Sequence, residues 1–322
     1  MQFLRIKYFL HPTIYFGRFM WHWYHKNGKW NHLVETNKVK ALKLDWLYVF
    51  ESKLKLDNPQ TLNDKIQWLM AYSDTTLWSK YTDKHEIRAY VEQCGYKDTL
   101  LQEYGVWNRV EDIDFDALPN SFAIKCTHDC GSTLIIKDKK RHFDKDFVTK
   151  HLQEHLGQLH GYRACELHYN RITPRIIAEQ LLPQSTDDDS EQVSSTIDYK
   201  FWCIEGKAQL VLVCYNRVID QDAVKEVYTL DPWESRKDYL SEKLQKQNFV
   251  AVPKPQNLDR MVEMAEKLAT GFHQVRVDLY NVNGKVYFGE LTFTAATGKM
   301  TSLSDKVQLM LGQKIKLPPR KE

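Results

Sequence analysis

No run of about 18 uninterrupted apolar residues occurs in the chain, so no segment reads as a membrane-spanning helix. No secretory hydrophobic core precedes the six cysteines (Cys94, Cys126, Cys130, Cys165, Cys203 and Cys214), which are scattered through apparently regular elements. They are expected as reduced thiols in a cytosol. Charge of one sign is scarce: 45 basic against 42 acidic residues leave a net +3, too little to point to nucleic acid or an acidic polymer as partner. Cys126, His128 and Cys130 lie close together, but a structural zinc needs a second pair of ligands at similar short spacing, and the sequence has none. Internal repeats and low-complexity tracts are absent too.

What is present is an ordinary globular composition. At 322 residues and 43% hydrophobic content the chain can bury a full core, with room for two or three subdomains. The charge is uneven, however. Residues 1–30 carry Arg5, Lys7, Arg18, Lys26 and Lys29 with no acid, a local +5 against −2 for the remainder, and interleave ten Phe, Tyr or Trp residues with them. Such a segment suits an anionic membrane surface, or else packs as an aromatic arm on the body of the protein.

From Asn58 onward the pattern becomes regular. QTLNDKIQWLM predicts a capped helix, and TDKHEIRAYVEQCG a second, started by Thr82 or Asp83 and stopped at Gly95. After VWNRVEDIDFDALP, read as a polar link, the strands SFAIKCT and STLIIKD flank the turn HDCG, followed by a helix near 144–159. RIIAEQLL is an apolar strand leading into the acidic loop QSTDDDSEQ. TIDYKFWCIEGKAQLVLVCYNRV predicts two strands about Glu205 and Gly206. A helix near 256–270 precedes a last hairpin, FHQVRVDLYNVNGKVYFGELTFT. Strands and helices mixed in this way imply an α+β architecture.

That hairpin carries charge where strand periodicity makes charge costly unless something binds it. A two-residue turn at Asn283 and Gly284 would send Asp278 and Glu290 to opposite faces. A three-residue loop, Val282 to Gly284, pairs Arg276 with Glu290 and Asp278 with Phe288. It sorts the residues better: Val277, Leu279, Tyr287, Leu291 and Phe293 on a core face, Arg276, Asp278, Glu290 and Thr292 on the other. Adjacent carboxylates repel, and a hard divalent cation such as Mg²⁺ relieves the repulsion while holding substrate phosphates. The competing explanation is a set of surface ion pairs around Arg276.

Two lysines weigh against that explanation. Lys125 lies mid-strand in SFAIKCT and Lys200 mid-strand in IDYKFWC, both suited to reach nucleotide phosphates, although a lone strand lysine commonly snorkels to water. The turn after Lys125, with Gly131 and Ser132, is able to cover phosphates through backbone N–H groups.

In this order the segments LNDKIQWL, TDKHEIRAYV, DFDALPNSFAIKCTHDCGS, RIIAEQLL, DYKFWCIEGK and VRVDLYNVNGKVYFGELTFTAATG resemble the TupA-like group of the ATP-grasp superfamily, from about residue 58 to 314. The resemblance implies an α+β fold in which two α+β subdomains clamp a nucleotide, behind an N-terminal helical, aromatic extension. The implied division is an extension over 1–55, a helical region over 56–118, a first grasp subdomain over 119–178 and a second, with the metal site, over 179–315. It implies ATP and Mg²⁺ as cofactors. Lys84 becomes the first nucleotide-facing lysine, Lys125 the holder of the α- and β-phosphates, and Lys200 the phosphate lysine of the second half. Glu179, Gln180 and Leu181 form the hinge that meets adenine. Asp278 and Glu290 become the magnesium carboxylates and Arg276 the transition-state arginine. The superfamily often has Asn where this chain has Thr292, whose hydroxyl can also ligate Mg²⁺. His128 falls at a polar position of the covering turn, either touching phosphate or pointing to solvent.

The function so implied is carboxylate–amine ligation through an acyl phosphate, with a glycan or glycan precursor of the cell surface as acceptor. The enzyme is expected in the cytosol, peripheral on the inner face of the cell membrane if residues 1–30 bind lipid, and without nucleic acid as partner. Rival readings are an ATP-dependent glycan kinase, a glycosyltransferase-associated role suggested only by gene company, and a non-catalytic scaffold. The DDD at 187–189 lies in a loop rather than after a strand, unlike a glycosyltransferase metal motif.

Overall fold

A computed structural model describes residues 12–183, 196–216 and 223–321. The acidic loop at 184–192 lies outside the described residues, as does the start of the basic aromatic segment with Arg5 and Lys7.

The chain begins with three helices, α1 (Pro12–Lys26), α2 (Trp30–Thr36) and α3 (Lys38–Phe50). Helix α1 lies close on α3 because Gly17 has no side chain: a Cβ there would stand 2.6 Å from Leu47 Cδ1. Trp21 stacks on Tyr48 with centroids 3.8 Å apart, and its Nε1 donates to the buried Asp45 at 3.2 Å. Helix α4 (Leu62–Tyr72) starts on a capping box, Thr61 and Asp64 each bonding the other's backbone N–H. It packs on α10 (Asp305–Lys314).

The second helix expected from the sequence is α6 (Ile87–Gln93), and a helix not read in the sequence, α5 (Thr76–Thr82), ends just ahead of it. Asp83, one of the two starts expected for α6, accepts from the N–H groups of His85 (2.8 Å) and Glu86 (3.2 Å) and so caps the turn that leads into the helix. Gly95 takes the left-handed conformation, φ +93°, that lets the chain turn away.

The first sheet has the order β1-β4-β2-β3, with β1 (Glu103–Trp107), β2 (Phe122–Cys126), β3 (Leu134–Ile136) and β4 (Ile176–Glu179), all antiparallel. Helix α7 (Lys139–His142) leads to α8 (Lys145–Leu156), whose Val148 and Leu152 close a small core against Phe122, Ile124, Ile176 and Ala178. Strand β1 begins ahead of the segment read as a polar link and runs into it. It shows no alternation of burial, and a register shift interrupts its pairing between Glu103 and Gly105.

The second sheet has the order β7-β6-β5-β8-β9, with β5 (Asp198–Ile204), β6 (Lys207–Tyr215), β7 (Val224–Tyr228), β8 (Gln274–Val282) and β9 (Lys285–Thr292). Helix α9 (Leu258–Leu268) lays Leu258, Met261, Met264, Ala265 and Leu268 on it, a stripe of helical period. Its core is continuous with that of α2, α3 and α4. The N-terminal helices are therefore built onto the second sheet.

The last hairpin departs from the expected register. Asn283 (φ 51°) and Gly284 (φ 72°) form a two-residue turn with both residues left-handed, pairing Val282 with Lys285. The pairing continues to Leu279 with Phe288, then shifts: Asp278 faces Glu290, Val277 faces Leu291 and Arg276 faces Thr292. Gly289 is the extra residue, a β-bulge that returns both carboxylates to one face. The expected sorting of the four polar side chains thus arises from a bulge rather than from a three-residue loop, while Tyr287, expected on the core face, pairs with Tyr280 and leaves the place opposite Leu279 to Phe288.

Candidate functional site

A cavity of about 520 Å³ lies between the two sheets, lined on one side by Lys84, Lys125, Glu179, Gln180 and Leu181 and on the other by Asp198, Lys200, Asp278 and Glu290. Ala123, Ile135, Tyr280 and Phe288 add apolar surface, the mixture of apolar walls and a few convergent polar groups usual for a small-molecule site.

On the first wall, strand pairing sets Glu179 opposite Ala123 and Lys125 opposite Ile177, so the two charged side chains share one face and form an ion pair. Lys84 enters from the segment between α5 and α6. Its N–H bonds Thr127 O (3.3 Å) and its ammonium donates to Asp129 O, which ties the helix segment to the turn after β2. Burial lowers the Lys84 pKa and Lys125 adds to the lowering, while Asp129 and Glu290 oppose it.

The turn after β2 is held by its own side chains. Ser132 Oγ accepts from Cys126 N–H (2.9 Å) and donates to Asp129 Oδ1 (2.5 Å). Asp129 Oδ2 meets His155 Nδ1, and Ser132 O meets His151 Nε2 (3.1 Å). Gly131 stands at φ 115°, a conformation that favours glycine. Ser132 and His128 are buried inside the turn and do not line the cavity; Thr133 does. His128 Nε2 faces Gln158 O at 3.2 Å, and burial lowers its pKa. It is neither a solvent-facing histidine nor part of the cavity wall.

On the second wall, five charged groups meet. Lys200, opposite Asp278 in the β5–β8 pairing, contacts Asp278 Oδ2 (2.6 Å) and Asp198 Oδ2 (2.5 Å). Arg276 grips Asp278 through Nε and Nη2, both at 2.6 Å, and reaches Glu290 Oε1 (3.1 Å) and Thr292 Oγ1 (3.0 Å). Thr292 Oγ1 in turn donates to Glu290 Oε1 at 2.8 Å. Burial opposes the charge on Asp278, yet Arg276 and Lys200 outweigh it and hold the pKa below the usual carboxylate range. Burial likewise opposes the charge on Lys200, and Asp278 with Asp198 outweighs it. Asp198 is raised, by burial first and by Asp278 second.

Asp198 is the residue that sequence reasoning missed. Its signal was the spacing to Lys200, two residues along one strand and therefore on one face. Among the described residues no group of three or more His, Cys, Asp or Glu is arranged to hold a metal ion, so a cation here would rest on Asp278, Glu290 and the Thr292 hydroxyl.

A comparison with curated proteins finds no match. Among solved structures, the L-amino acid ligase from Bacillus licheniformis aligns at TM-score 0.46 and 13% identity over 82% of this chain, which spans 57% of that protein. The D-alanine–D-alanine ligase from Bacillus anthracis complexed with ATP aligns at TM-score 0.38 and 12% identity, covering 78% of this chain and 70% of that one. The ATP-grasp ligase PsnB complexed with a minimal precursor aligns at TM-score 0.39 and 11% identity, covering 85% and 67%. The family model of the TupA-like ATPgrasp proteins matches residues 64–316, which takes in the first lysine of the cavity, both sheets and the acidic hairpin. The chain belongs to the TupA-like ATP-grasp family and has the ATP-grasp fold.

Proposed function

We propose that the protein is an ATP-dependent carboxylate–amine ligase that joins an amine or amino acid to a carboxylate of a cell-surface glycan or its precursor. The observation that carries this reading is the cavity itself, where Lys84 and Lys125 on one wall face Lys200 and the paired carboxylates Asp278 and Glu290 on the other. Cations on both walls suit a triphosphate laid across the gap, since each ammonium is a point charge able to bond phosphate oxygens. Gln180 N–H already bonds Gln102 O at 2.8 Å, so an adenine edge would meet the Gln180 carbonyl and the Leu181 backbone.

Mg²⁺ fits the second wall. Two facing carboxylates and a hydroxyl are too few for an all-protein cage but suit a cation that keeps waters and phosphate oxygens as its other ligands. When bound, Mg²⁺ supplies neutralisation of charge on the transferring phosphoryl group. Arg276 lies between the two acids, so engagement of Asp278 and Glu290 elsewhere would release its guanidinium for a phosphoryl or acyl oxygen. Catalysis of this kind needs positioning and charge, not a protein nucleophile.

The acceptor is the finer part of the proposal and rests on the family resemblance alone. The test is ADP release with a uronic-acid glycan and a panel of amino acids. A ligase releases ADP only with carboxylate and amine together, yields an amide by mass, and forms a hydroxamate when hydroxylamine replaces the amine. A phosphoester formed without any amine would establish the kinase reading instead.

A further inference from the structure

We propose that the outer face of α1 docks on an anionic membrane, with the helix lying in the headgroup region parallel to the surface. Helix α1 has two unlike sides. Its inner side fits the body through Gly17 against Leu47 and through Met20, Trp21 and Tyr24, which pack on the large core. Its outer side exposes Tyr15 (56%), Phe16 (62%), Phe19 (53%) and Trp23 (37%). At about 100° per residue these four, with His22 and Lys26, fall within an arc of about 120°. Four of the ten exposed large hydrophobic side chains among the described residues stand on these 15 residues. That concentration makes a patch, not the usual scatter of single apolar side chains.

The charge around the patch selects the partner. Helix α1 has no acidic residue, and residues 12–51 hold Arg18, Lys26, Lys29, Lys38, Lys40 and Lys43 against Glu35, Asp45 and Glu51, the last paired with Arg18. The other two acids are engaged as well, Asp45 by Lys299 and Glu35 by the Tyr162 hydroxyl. Lys29 Nζ lies 4.9 Å from the Trp23 ring, and Lys40 Nζ 3.2 Å from the Tyr24 hydroxyl, so cations flank the aromatic stripe. Rings with a polar edge sit favourably at headgroup depth, and exposed lysines gain from an anionic leaflet. A second copy of this chain would bring two basic surfaces together, which disfavours self-association through the same face.

The full-length protein tests this by co-sedimentation with vesicles. Binding is expected to equimolar phosphatidylglycerol and phosphatidylcholine, not to phosphatidylcholine alone, and to weaken as salt rises. Replacing Phe16, Phe19 and Trp23 together by Ser should lower partitioning by about a hundred-fold. K26E with K29E should remove the preference for phosphatidylglycerol. Neither variant touches the cavity, so both should keep the nucleotide-induced rise in Tm, which separates this proposal from the ligase reading. It is overturned if the wild type ignores anionic vesicles, or if the triple variant, with an unchanged circular dichroism spectrum, binds them as before. It is equally overturned if the triple variant turns a dimer into a monomer by sedimentation velocity while vesicle binding is unchanged.

Discussion

Glu290→Gln separates the two jobs open to this carboxylate, ion-pair partner of Arg276 and magnesium ligand. In the structure, Glu290 is replaceable. Its side chain is 52% exposed and meets Arg276 at 3.1 Å, while Arg276 keeps two bonds of 2.6 Å to Asp278 and one of 3.0 Å to Thr292. An exposed pair of this kind contributes about 0–1 kcal/mol. Against that loss stands a relief: the cluster sets three carboxylates, Asp198, Asp278 and Glu290, against two cations, Lys200 and Arg276, and the variant removes the excess charge. The apo variant should therefore melt within about 1–2 °C of wild type. Asp278→Asn is the contrast. Asp278 is buried and neutralises both cations, and removing one side of such an arrangement costs about 3–5 kcal/mol, some 6–10 °C at about 2 °C per kcal/mol. Both variants should lose the extra rise that Mg²⁺ adds to a non-hydrolysable ATP analogue, a contribution of about 2.7 kcal/mol at a hundred-fold excess over Kd. Differential scanning fluorimetry of the three proteins, with analogue alone and with analogue plus Mg²⁺, reads all of this. A Glu290→Gln protein that keeps the full Mg²⁺ increment, or loses as much apo stability as Asp278→Asn, refutes the assignment.

Lys125→Ala and Lys200→Ala should each weaken nucleotide binding by about 1.5–3 kcal/mol in calorimetry, and unchanged affinity in both would remove the lysines from the site. Lys200→Ala should also destabilise the apo protein more, because it leaves Asp198 and Asp278 facing each other. Gly289→Val is expected to cost about 1–3 kcal/mol and to diminish the Mg²⁺ response, since a Cβ at that position would lie 2.8 Å from Asp278 O and force the bulge to move; an unchanged Mg²⁺ response would show that the bulge does not set the acid pair. Glu166 is buried, and burial raises its pKa from 4.5 to about 7. Between those values the unfolded chain gives up a proton that the folded chain keeps, so stability falls as pH rises through the window. Glu166→Gln should remove this fall, gaining about 1–3 kcal/mol at pH 8 and little below pH 5, and parallel Tm profiles of variant and wild type would refute it.

Local rules made much of the architecture legible. The Thr61 cap, the helical stripe of α9, the Glu205–Gly206 turn and the apolar strands β5, β6 and β8 are each written within a few residues, and each appears in the structure. Elements without a local signature escaped. Helices α2, α3 and α10 carry mixed faces because they are buried by one another and by the second sheet, and β7 draws its identity from pairing with β6. The cap at Asp83 was legible, whereas α5, only seven residues long, is too short to show a period of its own.

The site shows the same division more sharply. That Arg276, Asp278, Glu290 and Thr292 share a face follows from the cost of burying charge on the other, whatever the register. How they come to share it does not follow. The Asn283–Gly284 turn asks for a pairing that would part the two acids, and the demand of the core for Val277, Leu279, Leu291 and Phe293 conflicts with it. A longer turn would settle the conflict at the loop, whereas the chain settles it at Gly289, beside the carboxylates themselves. The consequence is direct opposition of Asp278 and Glu290 instead of the diagonal offset a longer loop would give, and directly opposed side chains approach more closely than diagonal ones. A bulge placed there bends the strand at the cavity wall and narrows the gap between two like charges, an arrangement that Arg276 and Lys200 hold together and that a cation shared by both would stabilise further.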